Sequence, residues 1–67
     1  MIEIRINGAE TAFQSPLTVA DLIDQLGYTG KRIAVECNGE IVPKSQHAST
    51  PLASGDQLEI VVAVGGG

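Results

Sequence analysis

The chain has 67 residues, 43% of them hydrophobic and 18% charged, with 4 Lys and Arg against 8 Asp and Glu for a formal net charge of -4. That length holds one domain and one core, burying only about 60% of the surface its unfolded form exposes, which argues against a deep, water-excluding enzyme cleft. The acid excess repels a phosphate backbone and disfavours nucleic acid as a partner, whereas a basic docking surface would be drawn to it.

The opening residues Ile2, Ile4 and Ile6 alternate with Glu3 and Arg5, the period of a strand with one apolar face and not of a secretory leader. Asn7-Gly8 supplies the positive φ angles of a tight turn, and a second strand follows over roughly residues 10–14, with Thr11 and Phe13 on one face. Ser15-Pro16 breaks it. Thr18 then stands at a helix N-cap with Asp21 three residues on, a capping-box pattern, and Leu17 is placed to pack on Leu22 as a hydrophobic staple. Val19, Leu22, Ile23 and Leu26 form one apolar stripe, and Gly27 ends the helix.

Beyond a turn at Gly30, residues 33–37 are rich in strand formers and lead through Asn38-Gly39 into a short strand at Ile41-Val42, which Pro43 stops. Residues 44–51 read as polar and irregular. Ser54-Gly55-Asp56 turns the chain into a last strand over 58–64, with Leu58, Ile60, Val62 and Val64 on the core face and Gln57, Glu59, Val61 and Ala63 on the other. The order predicts an α+β chain of β-grasp layout, with one helix across a mixed sheet of four to five strands and the last strand lying centrally beside the first. The expected organisation is a single domain over residues 1–64 and a glycine tail over 65–67.

Cys37 is the one cysteine, so neither an intramolecular disulfide nor a cysteine-rich zinc site can form, and a reducing, cytoplasmic setting is expected. No apolar run approaches the roughly 20 residues that span a bilayer. His47 has no nucleophile motif around it and reads as a loop residue, and Cys37 has no adjacent cation to activate it. Asp21 and Asp24 are explained by helix capping and a solvated face, and Glu36 and Glu40 by exposed hairpin charge. Neither a bound cofactor nor a metal is expected. The chain reads as a substrate or a binding module.

What remains is Gly65-Gly66-Gly67, set directly after the apolar run 60–64. Such glycines are either a frayed end or a handle that threads a narrow channel and presents an unhindered acyl group. On the outer face of the last strand, polar residues give way to Val61 and Ala63, which are therefore candidate docking positions as well as ordinary strand formers.

The segment Ala34-Val35-Glu36-Cys37-Asn38-Gly39-Glu40-Ile41-Val42-Pro43, the helix entry Thr18-Val19-Ala20-Asp21-Leu22, the run Gly55-Asp56-Gln57-Leu58-Glu59-Ile60-Val61 and the terminal glycines together resemble the ThiS family, the ubiquitin-like sulfur carriers of bacterial thiamine biosynthesis. The resemblance covers essentially the whole chain. It implies a carrier and not an enzyme: a ThiF-like enzyme, using ATP and magnesium, adenylates the Gly67 carboxylate. A sulfur donor such as a cysteine desulfurase then yields a thiocarboxylate, and a ThiG-like thiazole synthase receives the sulfur. Gly65 and Gly66 would give the acyl carbon reach and clearance. Cys37 and His47 depart from the side chains expected of relatives at those positions. The alternatives are a molybdopterin-synthase small-subunit-like carrier and a ubiquitin-like modifier or interaction module.

Overall fold

The computed structural model describes residues 1–63. Five strands, β1 (Ile2–Ile6), β2 (Ala9–Phe13), β3 (Ile33–Cys37), β4 (Glu40–Val42) and β5 (Gln57–Val62), form one sheet in the order β2-β1-β5-β3-β4, and one α-helix, α1 (Val19–Gln25), completes the main framework. β5 is central. It runs parallel to β1 and antiparallel to β3, the mixed arrangement expected of a β-grasp chain.

The helix forms where its local signals coincide. Thr18 Oγ1 accepts the Asp21 N–H at 3.2 Å while Asp21 Oδ2 accepts the Thr18 N–H at 3.0 Å, which closes the capping box. At the other end Gly27, at φ 79°, donates to the Asp24 carbonyl and Tyr28 donates to the Ile23 carbonyl, the paired bonds of a Schellman stop. Between these caps Val19, Leu22 and Ile23 are buried, and Leu17 joins them in the core with Leu22 as the staple requires.

The core also takes Ile4 from β1, Phe13 from β2, Val35 from β3, Val42 from β4, and Leu58 and Ile60 from β5, so each strand contributes to one face of the sheet. Ile2, Ile6 and Ile33 pack against this cluster; Thr11 shares the Phe13 face of β2, opposite Ile4, and is exposed there. β5 spans Gln57–Val62 and not 58–64; Ala63 lies just past it, and Val64 lies outside the described residues.

Residues 44–51 differ most from expectation. Lys44–Ser49 is a 3-10 helix, entered from Pro43 at φ -62° and closed by Gln46 N–H donating to the Pro43 carbonyl at 2.8 Å. Proline presets the φ of such a turn. Thr50 Oγ1 donates back to the Gln46 carbonyl at 2.7 Å, and the Thr50 carbonyl accepts the Val19 N–H at 3.0 Å, so this segment also fixes the entry of α1. Polar composition had suggested irregularity, but these short-range bonds to serine and threonine hydroxyls use that composition to build order.

Both Asn-Gly turns do more than reverse the chain. Asn7 at φ 50° and Asn38 at φ 52° turn their side chains onto the central strand. Asn7 Oδ1 accepts the Ile60 N–H at 2.8 Å and its Nδ2 donates to the Ile60 carbonyl at 3.1 Å, while Asn38 Oδ1 accepts the Gln57 N–H at 3.0 Å. A carboxamide has the same donor and acceptor as a peptide unit. Each asparagine therefore supplies β5 with partners that its neighbouring strand, having turned away, no longer provides.

Candidate functional site

The outer face of the sheet carries Val61 and Ala63, the two positions that the sequence offers as docking candidates. Val61 is 63% exposed despite its place in the central strand, and Ala63, also exposed, follows on the same side. Across the sheet Val61 pairs with Ala34 of β3, itself exposed, and Ile41 of β4 lies diagonally beyond at 66% exposure. Ile41 was not singled out from sequence. The period-2 rule contained the signal, because Val42 turns into the core and its neighbour must then face out.

The patch has an acidic border. Glu36 stands directly opposite Glu59 across the β3–β5 ladder and opposite Ile41 across the β3–β4 ladder. Like charges opposed in this way are mutually unfavourable. A basic group on a partner would relieve that repulsion, in agreement with the sign inferred from composition.

At the end of β5, Val62 pairs with Ile33 and the Ala63 N–H donates to the Arg32 carbonyl at 2.8 Å. The chain therefore passes Ala63 held at the β3 side of the sheet. Gly65, Gly66 and Gly67 lie outside the described residues.

The remaining reactive side chains are engaged structurally. His47 is half-buried, not a free loop residue, and its Nε2 donates to the Val42 carbonyl at 3.1 Å, tying the 3-10 turn to the end of β4. Among the described residues no group of His, Cys, Asp and Glu is placed to hold a metal, and no helix is long and apolar enough to cross a membrane. Cys37 is half-buried beside the second turn; burial pushes its thiol above the usual range, and the carboxylates of Asp56 and Glu40 add to the shift. A raised thiol holds its proton in the fold at a pH where the unfolded chain has begun to lose it, so this contribution to stability is complete below the ordinary thiol value and erodes as pH rises beyond it. Alkylation of native protein by iodoacetamide is accordingly expected to run slower than that of a free thiol at neutral pH, with its inflection displaced to alkaline pH; a pH–rate profile checks this.

Five strands in this order, one helix, and an apolar patch on the central strand define a small β-grasp protein. The ThiS family model matches residues 3–67, and the chain belongs to the ThiS family. A crystal structure of the thiamine biosynthesis protein ThiS from Geobacter metallireducens superposes with a TM-score of 0.82 at 26% identity, covering 98% of this chain and all of that one, 100%. The uncharacterized protein ycf40 of Pyropia yezoensis is 36% identical over 66 residues, 98% of this chain and 93% of that protein. A thiazole synthase of Paramagnetospirillum magneticum is 46% identical over 66 residues, 98% of this chain but 20% of that protein. The chain thus spans about a fifth of the length of the thiazole synthases it matches.

Proposed function

We propose that the chain is a sulfur carrier for thiazole formation in thiamine biosynthesis, acting as substrate and sulfur donor and not as a catalyst. The observation that carries this reading is the ThiS match over residues 3–67, which runs through the glycines to Gly67. In it, an oxygen of the Gly67 carboxylate attacks the α-phosphorus of ATP on a ThiF-like enzyme with magnesium, and pyrophosphate leaves. A persulfide from a donor such as a cysteine desulfurase then attacks the acyl carbon and displaces AMP. A thiol cleaves the resulting acyl disulfide, leaving the thiocarboxylate.

Activation is needed because attack on a free carboxylate must expel oxide, whereas the acyl-adenylate has a phosphate leaving group. Gly66 and Gly65 keep the acyl carbon free of side chains as it passes between partners. The likeness to a protein named thiazole synthase supports a ThiG-like enzyme as recipient. On the folded body, Val61 and Ala63 are docking residues, and the exposed Ile41 extends their patch.

Intact-mass analysis of protein from its native host tests the reading. An oxygen-to-sulfur increase confined to the C-terminal peptide is expected, and one residue appended after Gly67 is expected to abolish it while leaving the fold unchanged. Tail-to-lysine adducts, or sulfur loading of the extended chain, would overturn the terminal mechanism.

A further inference from the structure

Three of the four basic side chains of this acidic protein converge on one groove. It lies between α1, the loop that follows it and the 3-10 turn, has a volume of about 860 Å³, and is lined by Lys31, Arg32 and Lys44 together with Tyr28, Ile23 and Ala48, among others. Its two carboxylates, Asp21 and Asp24, are already engaged. Asp21 closes the helix cap, and Asp24 Oδ1 accepts the Thr29 hydroxyl at 3.1 Å. The only ion pair within 4.0 Å among the described residues is Arg5 with Glu10, so none of the three groove cations has a carboxylate partner there.

The contrast with the sheet face is one of sign. Outside the groove Arg5 stands alone against Glu3, Glu10, Glu36, Glu40, Asp56 and Glu59. The groove also adjoins the exit of the central strand, because Arg32, whose carbonyl accepts the Ala63 N–H, is part of its wall. A protein that contacts the chain at Ala63 therefore also meets this wall.

We infer that the groove is a second docking surface, which receives a carboxylate-bearing segment of the protein that engages the tail. The inference rests on the carrier reading above for the identity of that protein, an adenylating enzyme. The cations are exposed and spread along an open wall with an apolar floor, which suits an extended acidic peptide better than a single small anion. With the acid-bordered patch on the sheet, the carrier has two faces of opposite charge, and a partner must match both to seat it. Such complementarity acts on encounter and register.

Two measurements separate this inference from the reading it rests on. In the first, amide chemical shifts of the full chain are followed during titration with hexaglutamate, with inorganic phosphate in parallel. Shifts clustered at Lys31, Arg32 and Lys44 with the peptide, lost in the triple variant Lys31→Glu, Arg32→Glu, Lys44→Glu, are expected. Equal shifts with phosphate, or none with the peptide, would overturn the inference whatever the chain does with sulfur. In the second, the triple variant is presented to the adenylating enzyme. Its KM is expected to rise about tenfold or more at low salt, with kcat unchanged and a flatter salt dependence. An unchanged KM alongside normal loading overturns the groove alone, whereas peptide-induced shifts in a chain that is never adenylated overturn the carrier reading alone.

Discussion

Asn7→Ala is expected to destabilise the protein by about 3 kcal/mol, measured as a lowered midpoint in urea with an unchanged slope. Two effects add. Loss of the carboxamide leaves the Ile60 N–H and carbonyl, bonded at 2.8 and 3.1 Å, without these partners in a half-buried position, at about 1–3 kcal/mol. Alanine must also hold a φ of 50°, which costs roughly 1–2 kcal/mol more than it does for asparagine or glycine. Asn7→Gly separates the two, because glycine accepts the angle but makes neither bond. A chain of this length has a total stability of only about 3–10 kcal/mol, so the alanine variant is expected to be substantially unfolded on mild warming. An alanine variant as stable as the native chain would show that β5 does not depend on this clamp.

The clamp also marks where sequence reading stops. Asn7-Gly8 and Asn38-Gly39 were readable as turns because positive φ is a local demand that few residues meet. What their side chains hold is not local: Asn7 reaches a residue 53 positions away, and no spacing in the chain announces it. The helix was legible from end to end, since Thr18, Asp21 and Gly27 specify its limits within a few residues of one another. The strand pattern was equally clear where apolar and polar residues alternate, as in β1, and in β5 apart from its last residues. The 3-10 turn at Lys44–Ser49 was missed because nothing apolar recurs along it, and its order rests on hydroxyl and carbonyl bonds that composition does not reveal.

The candidate site divides in the same way. Val61 and Ala63 could be placed on the outer face from parity alone, and the structure leaves both exposed. Ile41 joined them only when the β3–β4 and β3–β5 registers were known, because its neighbours come from different strands. The groove was beyond reach for the same reason: Lys31, Arg32 and Lys44 form no run in the sequence, and only the packing of the 3-10 turn against α1 brings them to one wall. Net charge indicated an acidic chain. It could not show that the minority charge is gathered in one place.

On the carrier reading proposed above, Val61→Asp is expected to weaken docking to the adenylating enzyme by about 2–4 kcal/mol, roughly a 30-fold to 1000-fold rise in KM, with kcat unchanged. Val61 offers an exposed branched side chain beside Ala34, and a partner that covers it must strip water from whatever stands there. An aspartate would be desolvated without a counter-charge of its own, and it would add a third carboxylate to a face already bordered by Glu36 and Glu59. Stability changes far less, by at most about 1 kcal/mol, because the side chain is outside the core and only strand preference is lost. Val61→Thr keeps the branched shape with one hydroxyl and is expected to fall between the two. Val61→Asp keeps the cationic groove, so its KM is expected to climb with ionic strength as that of the native chain does, while the gap between the two persists because an apolar contact is insensitive to salt. A Val61→Asp protein that is folded and loads with native KM would remove the sheet face from the docking surface and leave the groove and the tail to account for recognition.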